Sequence, residues 1–188
     1  EKAYWLGFIY ADGCINELSD SKTLEICLKE SDKNHLEKFA LSIGGSLEQV
    51  KEKIVKLQGK EIMTYRIAVC STDMCNDLES HGVTPRKSLT LEFPKHIDES
   101  LLKHFIRGYF DGDGCISISG KRKRVSIIGT QNFLNDLSGI FSTIGSTPTK
   151  LLHDKRSHAI SYEKGGEGAK RILDYLYSDS NIYLDRKY

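Results

Sequence analysis

Two short segments of this chain, offset by 101 residues, carry the same pattern of residue types. Residues 5–13 read WLGFIYADG and residues 106–114 read IRGYFDGDG, so each is an apolar, helix-like run that ends in a small residue, Asp and Gly. In both copies small residues recur four positions apart: Gly7 with Ala11, and Gly108 with Gly112. Residues at this spacing share one face of a helix, and a face without bulky side chains lets two backbones approach closely. We therefore expect two duplicated helices that pack against each other.

Each motif places an aspartate at the expected C-terminal end of its helix. The glycines that follow, Gly13 and Gly114, predict a C-terminal cap in the left-handed conformation. A carboxylate at this end meets the negative pole of the helix dipole, at a cost of about 0.3–1 kcal/mol when it is exposed. Two carboxylates about 4 Å apart would also repel by about 4 kcal/mol at an effective dielectric constant of about 20. We therefore expect Asp12 and Asp113 to meet around a hard divalent cation such as Mg²⁺, which binds a few carboxylates together with water and phosphate oxygens.

The same order of predicted secondary-structure elements follows each of the two motifs. Each copy continues with two short alternating segments, a helix that ends at Ile-Gly, a second pair of alternating segments and a third helix. Ser31 or Asp32 is the expected cap of the first of these middle helices, and Asn132 is the expected cap of its counterpart. The pattern predicts an α+β fold of two αββαββα halves, residues 1–98 and 99–188, with a linker near Pro94.

Composition and charge narrow the class of protein. With 28% charged residues and no apolar run of membrane-span length, the chain has the composition of a soluble globular protein. It shows no signal peptide and has five cysteines without C-x-x-C spacing, which favours a cytoplasmic or organellar location over secretion. The net charge of +1 is low for a nucleic-acid-binding protein, yet lysines and arginines cluster at residues 51–60 and 121–124. These two basic segments are the candidates for contacts with a polyanion.

The duplicated motifs resemble those of the LAGLIDADG homing endonuclease family. Both nonapeptides are similar to the motif that names the family, and the repeat order makes the whole chain similar to its single-chain, two-motif members. The chain departs from the motif at Leu6, Tyr10 and Arg107, none of which is the metal-binding position. The resemblance implies that the two motif helices pack at a central, pseudo-symmetric interface. It also implies that the antiparallel β-sheets of the two halves form a saddle over the DNA major groove.

The same resemblance implies an activity and a metal site. The implied activity is the hydrolysis of one phosphodiester bond per strand at a long, asymmetric site in double-stranded DNA, by a monomer that needs no protein partner. The implied metal-binding residues are Asp12 and Asp113, together with their neighbours Ala11 and Gly112. Mg²⁺ is the implied cofactor, for which Mn²⁺ would substitute, while Ca²⁺ would support binding without cleavage. Phosphodiester hydrolysis needs a phosphate polarised by a metal ion and an activated water molecule, and a pair of carboxylates that binds the metal ion agrees with this requirement.

Four further residues resemble catalytic or solvent-organising positions of the family. By position in the repeat, Lys87 and Lys187 resemble the basic residue near each active site. Their alternative interpretation is that two Arg-Lys pairs are solvent-exposed tails. Glu30 and Gln131 resemble polar residues that organise solvent at the site, and the alternative is that they only cap helices.

Strand alternation and charge nominate the residues that would contact DNA. In the first half they are Asn16, Glu25, Cys27 and Lys29. In the second half they are Ser117, Ser119, Lys121, Arg122, Lys123, Arg124, Ser126 and Ile128. The expected phosphate contacts, which set affinity and salt dependence, are Lys51, Lys53, Lys155 and Arg156.

Other functions remain open on the same fold. A sequence-specific DNA-binding regulator or an RNA-splicing maturase would keep the saddle and lose cleavage. The presence of both Asp12 and Asp113 favours a nuclease, because a pure binding protein gains nothing from two repelling carboxylates. The nuclease portion of an intein is a further alternative that flanking sequence would decide.

Overall fold

The computed structural model describes residues 1–57, 59–120, 122–155 and 159–187. The first copy of the repeat consists of α1 (Lys2–Asp12), β1 (Gly13–Leu18), β2 (Ser21–Lys29), α2 (Lys33–Ser42), β3 (Lys51–Leu57), β4 (Lys60–Cys70) and α3 (Thr72–Ser80). The second copy consists of α4 (Glu99–Asp113), β5 (Gly114–Ser119), β6 (Arg122–Gly129), α5 (Gln131–Thr143), β7 (Leu152–His153), β8 (Ile160–Gly165) and α6 (Gly166–Tyr177). This order confirms the predicted αββαββα repeat.

The eight strands form two antiparallel, four-stranded sheets of the same topology. The first sheet has the order β1-β2-β4-β3 and the second has the order β5-β6-β8-β7. In each, a two-stranded hairpin follows the motif helix directly, and a second hairpin pairs with it across the sheet. The predicted α+β class is therefore confirmed.

The chain forms two compact units that do not follow the order of the sequence. Unit 1 contains Glu1–Ala11, Arg86–Tyr183 and Lys187, and unit 2 contains Asp12–Pro85 and Leu184–Arg186. Unit 1 thus holds α4, the second sheet and nearly all of α1, whereas unit 2 holds the first sheet. The division of the repeat at residues 98 and 99 stays a prediction.

Within unit 1, α1 and α4 approach each other through their glycines. A Cβ atom on Gly7 would lie 1.9 Å from the carbonyl oxygen of Phe105, and one on Gly108 would lie 1.9 Å from the carbonyl oxygen of Tyr4. These positions therefore admit no side chain at the observed separation of the two backbones. The predicted close approach of the motif helices is confirmed for these two glycines.

The predicted left-handed caps of the motif helices were wrong. Gly114 has extended backbone angles, φ −89° and ψ 161°, and Gly13 does not have a positive φ. Gly114 is required for a different reason, because a Cβ atom there would lie 2.4 Å from Cδ2 of Phe110. The left-handed glycines instead follow α2 and α5, where Gly44 has φ 76° and Gly145 has φ 78°.

The predicted cap of α5 was wrong, whereas Asp32 occupies the N-cap position of α2 as predicted. Thr130, rather than Asn132, precedes α5, and its hydroxyl accepts a hydrogen bond from the backbone N–H of Phe133. Asp32 does precede α2, but its side chain makes no capping hydrogen bond. Its carboxylate accepts a hydrogen bond from Nε of Arg186 at 2.8 Å, so the charge is used to hold the C-terminal residues on unit 2.

Candidate active site and nucleic-acid interface

A cavity of about 620 Å³ lies in unit 1 beside the C-terminal end of α4. The wall includes the ends of α1 and β6, the start of α5 and the 3-10 turn Lys87–Leu89. Its lining residues include Tyr10, Ala11, Lys87, Tyr109, Asp113 and Gln131. Four residues that the sequence nominated for the site therefore line one cavity: Ala11, Lys87, Asp113 and Gln131.

The Asp113 carboxyl is the acidic group of this cavity. Burial raises its pKa above the ordinary value, against the opposing effects of the Lys87 charge, a hydrogen bond from Tyr109 and the Lys187 charge. Burial disfavours the charged form of a carboxyl group, and a nearby cation restores it. An added cation in this cavity would therefore stabilise the ionised form of the Asp113 carboxyl group.

Lys87 lies inside the protein rather than on an exposed tail. It is 8% exposed and begins a 3-10 turn that follows Arg86, whose φ of 58° and ψ of 30° are left-handed for a residue with a side chain. Such a conformation persists where the surrounding structure determines it. The alternative that this Arg-Lys pair is a surface tail is therefore wrong for Lys87, while its catalytic role stays a prediction.

Lys187 is buried as well, and its ammonium group contacts the end of α4. It is 7% exposed, donates a hydrogen bond to the carbonyl oxygen of Phe110 at 2.7 Å and donates another to that of Gly114. The ammonium nitrogen also lies 5.4 Å from the centre of the Phe110 ring. A cation at this position compensates the negative end of the α4 dipole, next to Asp113. Lys187 thus has a structural role, and the interpretation as an exposed tail is wrong.

The remaining nominated site residues are distributed over both units. Gln131 is the first residue of α5, and its Nε2 donates to Oδ1 of Asn135 at 3.3 Å. Glu30 is exposed and begins a 3-10 turn in unit 2, so it does not line the cavity. Asp12 is the last residue of α1 and is half-buried, as is Gly112 near the end of α4. The roles of these residues stay predictions.

Asp113 contributes a carboxylate to the cavity at the end of α4. Over the described parts of the chain, no group of three or more His, Cys, Asp or Glu side chains could enclose a metal ion. Closed cages of that kind are typical of structural Zn²⁺ sites. Mg²⁺ instead uses one or two carboxylates and fills its other positions with water and substrate phosphates. The carboxylate of Asp113 is an oxygen ligand of the type that such a cation binds.

A buried polar network, which sequence reasoning missed, joins α1, α4 and α6. Asp111 is fully buried and accepts hydrogen bonds from the hydroxyl groups of Tyr4 at 2.6 Å and Tyr177 at 2.5 Å. Arg107, 2% exposed, donates to the carbonyl oxygens of Ile182 and Leu176. Asp111, the first aspartate of the DGD sequence, thus holds the three helices together, and Arg107, a departure from the motif, fixes the C-terminal end of α6.

The exposed face of the first sheet carries the nominated residues of the first half. In β2, Leu24, Ile26 and Leu28 are buried, so alternation directs the intervening side chains to the opposite face. That opposite face contains Asn16, Glu25, Cys27 and Lys29. Glu25 accepts hydrogen bonds from Lys53 at 2.5 Å and from Arg66 at 3.3 Å. The hydrogen bond from Lys53 and the two positive charges lower the pKa of the Glu25 carboxyl.

The register of the second sheet divides the nominated residues between its two faces. Ser117 pairs with Arg124 and Ser119 pairs with Arg122, so the two arginines share the face of the serines. Lys123 pairs with Ile118 and therefore points to the opposite face. Ser126 and Ile128 lie on the face of the arginines. A groove of about 590 Å³ at the outer end of the sheet is lined by residues that include Ser117, Arg122 and Arg124, whereas Ile128 lines the cavity beside α4. Lys155 is exposed, whereas Lys121 and Arg156 lie outside the described residues.

No helix in the described ranges combines the length and the hydropathy of a membrane span.

The chain is similar in sequence to two kinds of protein. Residues 100–177 match the family model of the LAGLIDADG-like domain. The chain is also 25% identical over 166 residues to the "Probable translation initiation factor IF-2" of Methanocaldococcus jannaschii. That similarity covers 86% of this chain but 13% of the relative, so the chain spans a small part of that protein.

The fold is similar to those of solved homing endonucleases. I-WcaI bound to its DNA recognition sequence gives a TM-score of 0.70 at 14% identity, over 98% of this chain and 84% of that chain. I-LtrWI bound to target DNA gives a TM-score of 0.57 at 11% identity, over 96% and 83% of the two chains. I-SmaMI, bound to an uncleaved DNA target in the presence of calcium ions, gives a TM-score of 0.53 at 13% identity, over 97% of this chain and 86% of that chain. Residues 100–177 thus contain a LAGLIDADG-like domain, and the whole chain has a fold similar to that of single-chain LAGLIDADG homing endonucleases.

Proposed function

We propose that the protein is a site-specific endonuclease that hydrolyses one phosphodiester bond in each strand of a long double-stranded DNA site. The observation that carries the proposal is the position of Asp113, partly buried at the end of α4, in one cavity with Lys87 and Gln131. Carboxylate, ammonium and amide groups together can bind a metal ion, stabilise developing negative charge and orient a water molecule.

Asp113 and Asp12 are the residues that would hold the metal ion, with Ala11 and Gly112 beside them. When bound, Mg²⁺ would polarise the scissile phosphate and lower the pKa of an attacking water. Burial raises the pKa of the Asp113 carboxyl, so a divalent cation would favour its ionised, ligating form. Mn²⁺ would replace Mg²⁺, and Ca²⁺ would support DNA binding without cleavage.

The other cavity residues would stabilise the negative charge that develops on the phosphate and orient the attacking water. Lys87 would donate a hydrogen bond to the phosphate oxygens on which negative charge develops, and its burial strengthens that interaction. Gln131 would orient the attacking water through its side-chain amide. Lys187 would act through the backbone at the end of α4, where it holds the carbonyl groups next to Asp113.

DNA would lie across the exposed faces of the two sheets. On the second sheet, Arg122, Arg124 and Ser117 point to one face beside the groove at its outer end. Strand residues on such a face can enter the major groove and contact base edges. On the first sheet, lysines of the edge strand β3, such as Lys51, would contact phosphates and make the affinity for DNA dependent on salt. The solved structures of I-WcaI and I-LtrWI contain DNA, which supports the same partner for this chain.

Cleavage of a plasmid library that contains random target sites tests the proposal. In Mg²⁺ we expect a defined subset of plasmids to be linearised, and EDTA to prevent the reaction. Plasmids that stay intact in Mg²⁺ and Mn²⁺, while footprinting shows tight binding at one sequence, would favour the DNA-binding regulator. Binding to structured RNA in preference to duplex DNA would favour the maturase.

A further inference from the structure

We propose that Arg66, held in position by Glu25, is a specificity-determining residue that reads a guanine in the major groove of the DNA target. The inference rests on the proposed function, because it concerns how the exposed face of the first sheet distinguishes one base pair from another. The residues that carry it are Arg66, Glu25 and Lys53, here called the Glu25 cluster.

The Glu25 cluster spans three adjacent strands of that face: the two central strands β2 and β4 and the edge strand β3. Arg66 lies in β4, where it pairs with Cys27 of β2 on one side and with Lys51 of β3 on the other. Its neighbour Ile67 is fully buried, so alternation points the guanidinium away from the helices and towards the exposed face. Arg66 is therefore a central residue of the face, and sequence alternation in the first hairpin did not nominate it.

Glu25 binds the two cations through different oxygens. Nζ of Lys53 donates to Oε1 at 2.5 Å, and Nη1 of Arg66 donates to Oε2 at 3.3 Å. Because both oxygens have donors, a cytosine amino group would compete with two ion pairs for this carboxylate. The arrangement thus favours Glu25 as a positioning residue rather than as a direct base contact.

Exposure separates the two roles within the cluster. The Glu25 side chain is 18% exposed, whereas those of Arg66 and Lys53 are 43% and 37% exposed. An approaching ligand therefore meets hydrogen-bond donors and a net positive charge, with the carboxylate beneath them. Guanine presents two acceptors, O6 and N7, in the major groove, and the planar guanidinium can bind both at once.

An ion pair of this kind prepares the arginine for base recognition. A long side chain that is already held in one direction loses less conformational freedom on binding. The equivalent pair on the second sheet is looser, because Nη1 of Arg124 lies 3.6 Å from the Glu163 carboxylate and Arg124 is 65% exposed. The structure therefore singles out Arg66 from the arginines of the two exposed faces as the one held most firmly.

Selection of binding sites from a random double-stranded DNA library, in Ca²⁺, tests this assignment. The wild-type protein and the Arg66→Gln, Glu25→Gln and Lys56→Gln variants are compared by the base frequencies that they recover at each position. Lys56 is the control, because it is exposed in the same sheet but pairs with Glu61 on the opposite face. Thermal unfolding of each variant shows that the fold is retained.

We expect Arg66→Gln to lower the preference for guanine about 10- to 100-fold at one or two adjacent positions and to leave the rest of the consensus intact. Glu25→Gln should weaken the same preference by a smaller factor while total affinity for DNA stays the same or rises, since a negative charge is lost. Lys56→Gln should leave the consensus unchanged. A uniform loss of affinity in Arg66→Gln with an unchanged consensus would overturn the inference and leave the proposed function intact. A wild-type protein that recovers no consensus would overturn both.

Discussion

Replacement of Gly7 by alanine tests the packing on which the position of the motif helices depends. The new Cβ atom would lie 1.9 Å from the carbonyl oxygen of Phe105 and 2.9 Å from the backbone nitrogen of Tyr109. Contacts of real Cβ atoms begin near 3.0 Å, so α1 would have to withdraw by at least about 1.1 Å. Because the obstructing atoms belong to the backbone of α4, no side-chain rotation relieves the clash.

The size of the effect follows from two opposing terms. Overpacking of a close interface costs about 1–3 kcal/mol, and backbone obstruction places this site at the upper end of that range. Alanine in place of glycine inside a helix returns about 1 kcal/mol. We therefore expect Gly7→Ala to lower the free energy of unfolding by about 2 kcal/mol, which corresponds to a fall in Tm of about 4–8 °C for a protein of this size.

The chain contains a matched control for this experiment. Gly139 is exposed in α5, and a Cβ atom there would meet no atom within 4 Å. Gly139→Ala should therefore stabilise the protein by about 0.5–1 kcal/mol. Urea unfolding followed by far-UV circular dichroism measures both variants. If Gly7→Ala were as stable as Gly139→Ala, the close approach of α1 and α4 would be refuted.

Three further outcomes follow from the structure. Burial lowers the pKa of His35 to about 4 from 6.5, so its contribution to stability is present above pH 6.5 and is lost as the pH falls towards 4, by roughly 3 kcal/mol. Urea unfolding at pH 7 and pH 4.5 should show a smaller acid loss in His35→Gln. Tyr177→Phe should cost about 1.5–3 kcal/mol, because it removes a hydrogen bond to the buried Asp111 carboxyl, and Tyr175→Phe on the same helix is the control in thermal unfolding. Lys87→Met should lower kcat for DNA cleavage about 100-fold while leaving the DNA affinity in Ca²⁺ within a few-fold, and equal kcat values would contradict its role.

Periodicity predicted the elements of this fold but not the side chains that cross between them. The third helix of the first copy, Thr72–Ser80, and the two hairpins behind each motif were predicted because each has a clear local pattern of apolar and polar residues. The caps after the motif helices were wrong because the ring of Phe110, not the backbone of Gly114, determines that turn. Local patterns carry no information on such contacts.

The candidate site shows the same limit. Asp113 was identifiable because its motif is duplicated, and Lys87 because a second Arg-Lys pair occupies the matching place in the repeat. The contact of Lys187 with α4 joins residues 77 positions apart, and the Tyr4–Asp111 hydrogen bond joins residues 107 apart. Lys123 was placed on the wrong face because the pairing of Ser119 with Arg122 sets the register after the turn.

Cleavage by the Asp12→Asn and Asp113→Asn variants tests the central claim most directly. The DNA target is the site that the wild-type protein selects, with double-strand cleavage measured in Mg²⁺ and binding measured in Ca²⁺. Asparagine keeps the shape of aspartate but removes the charge that holds a divalent cation. We predict that each variant binds the target with nearly the wild-type affinity and makes no double-strand break. Normal cleavage by Asp113→Asn would contradict the assignment of the α4 cavity as an active site.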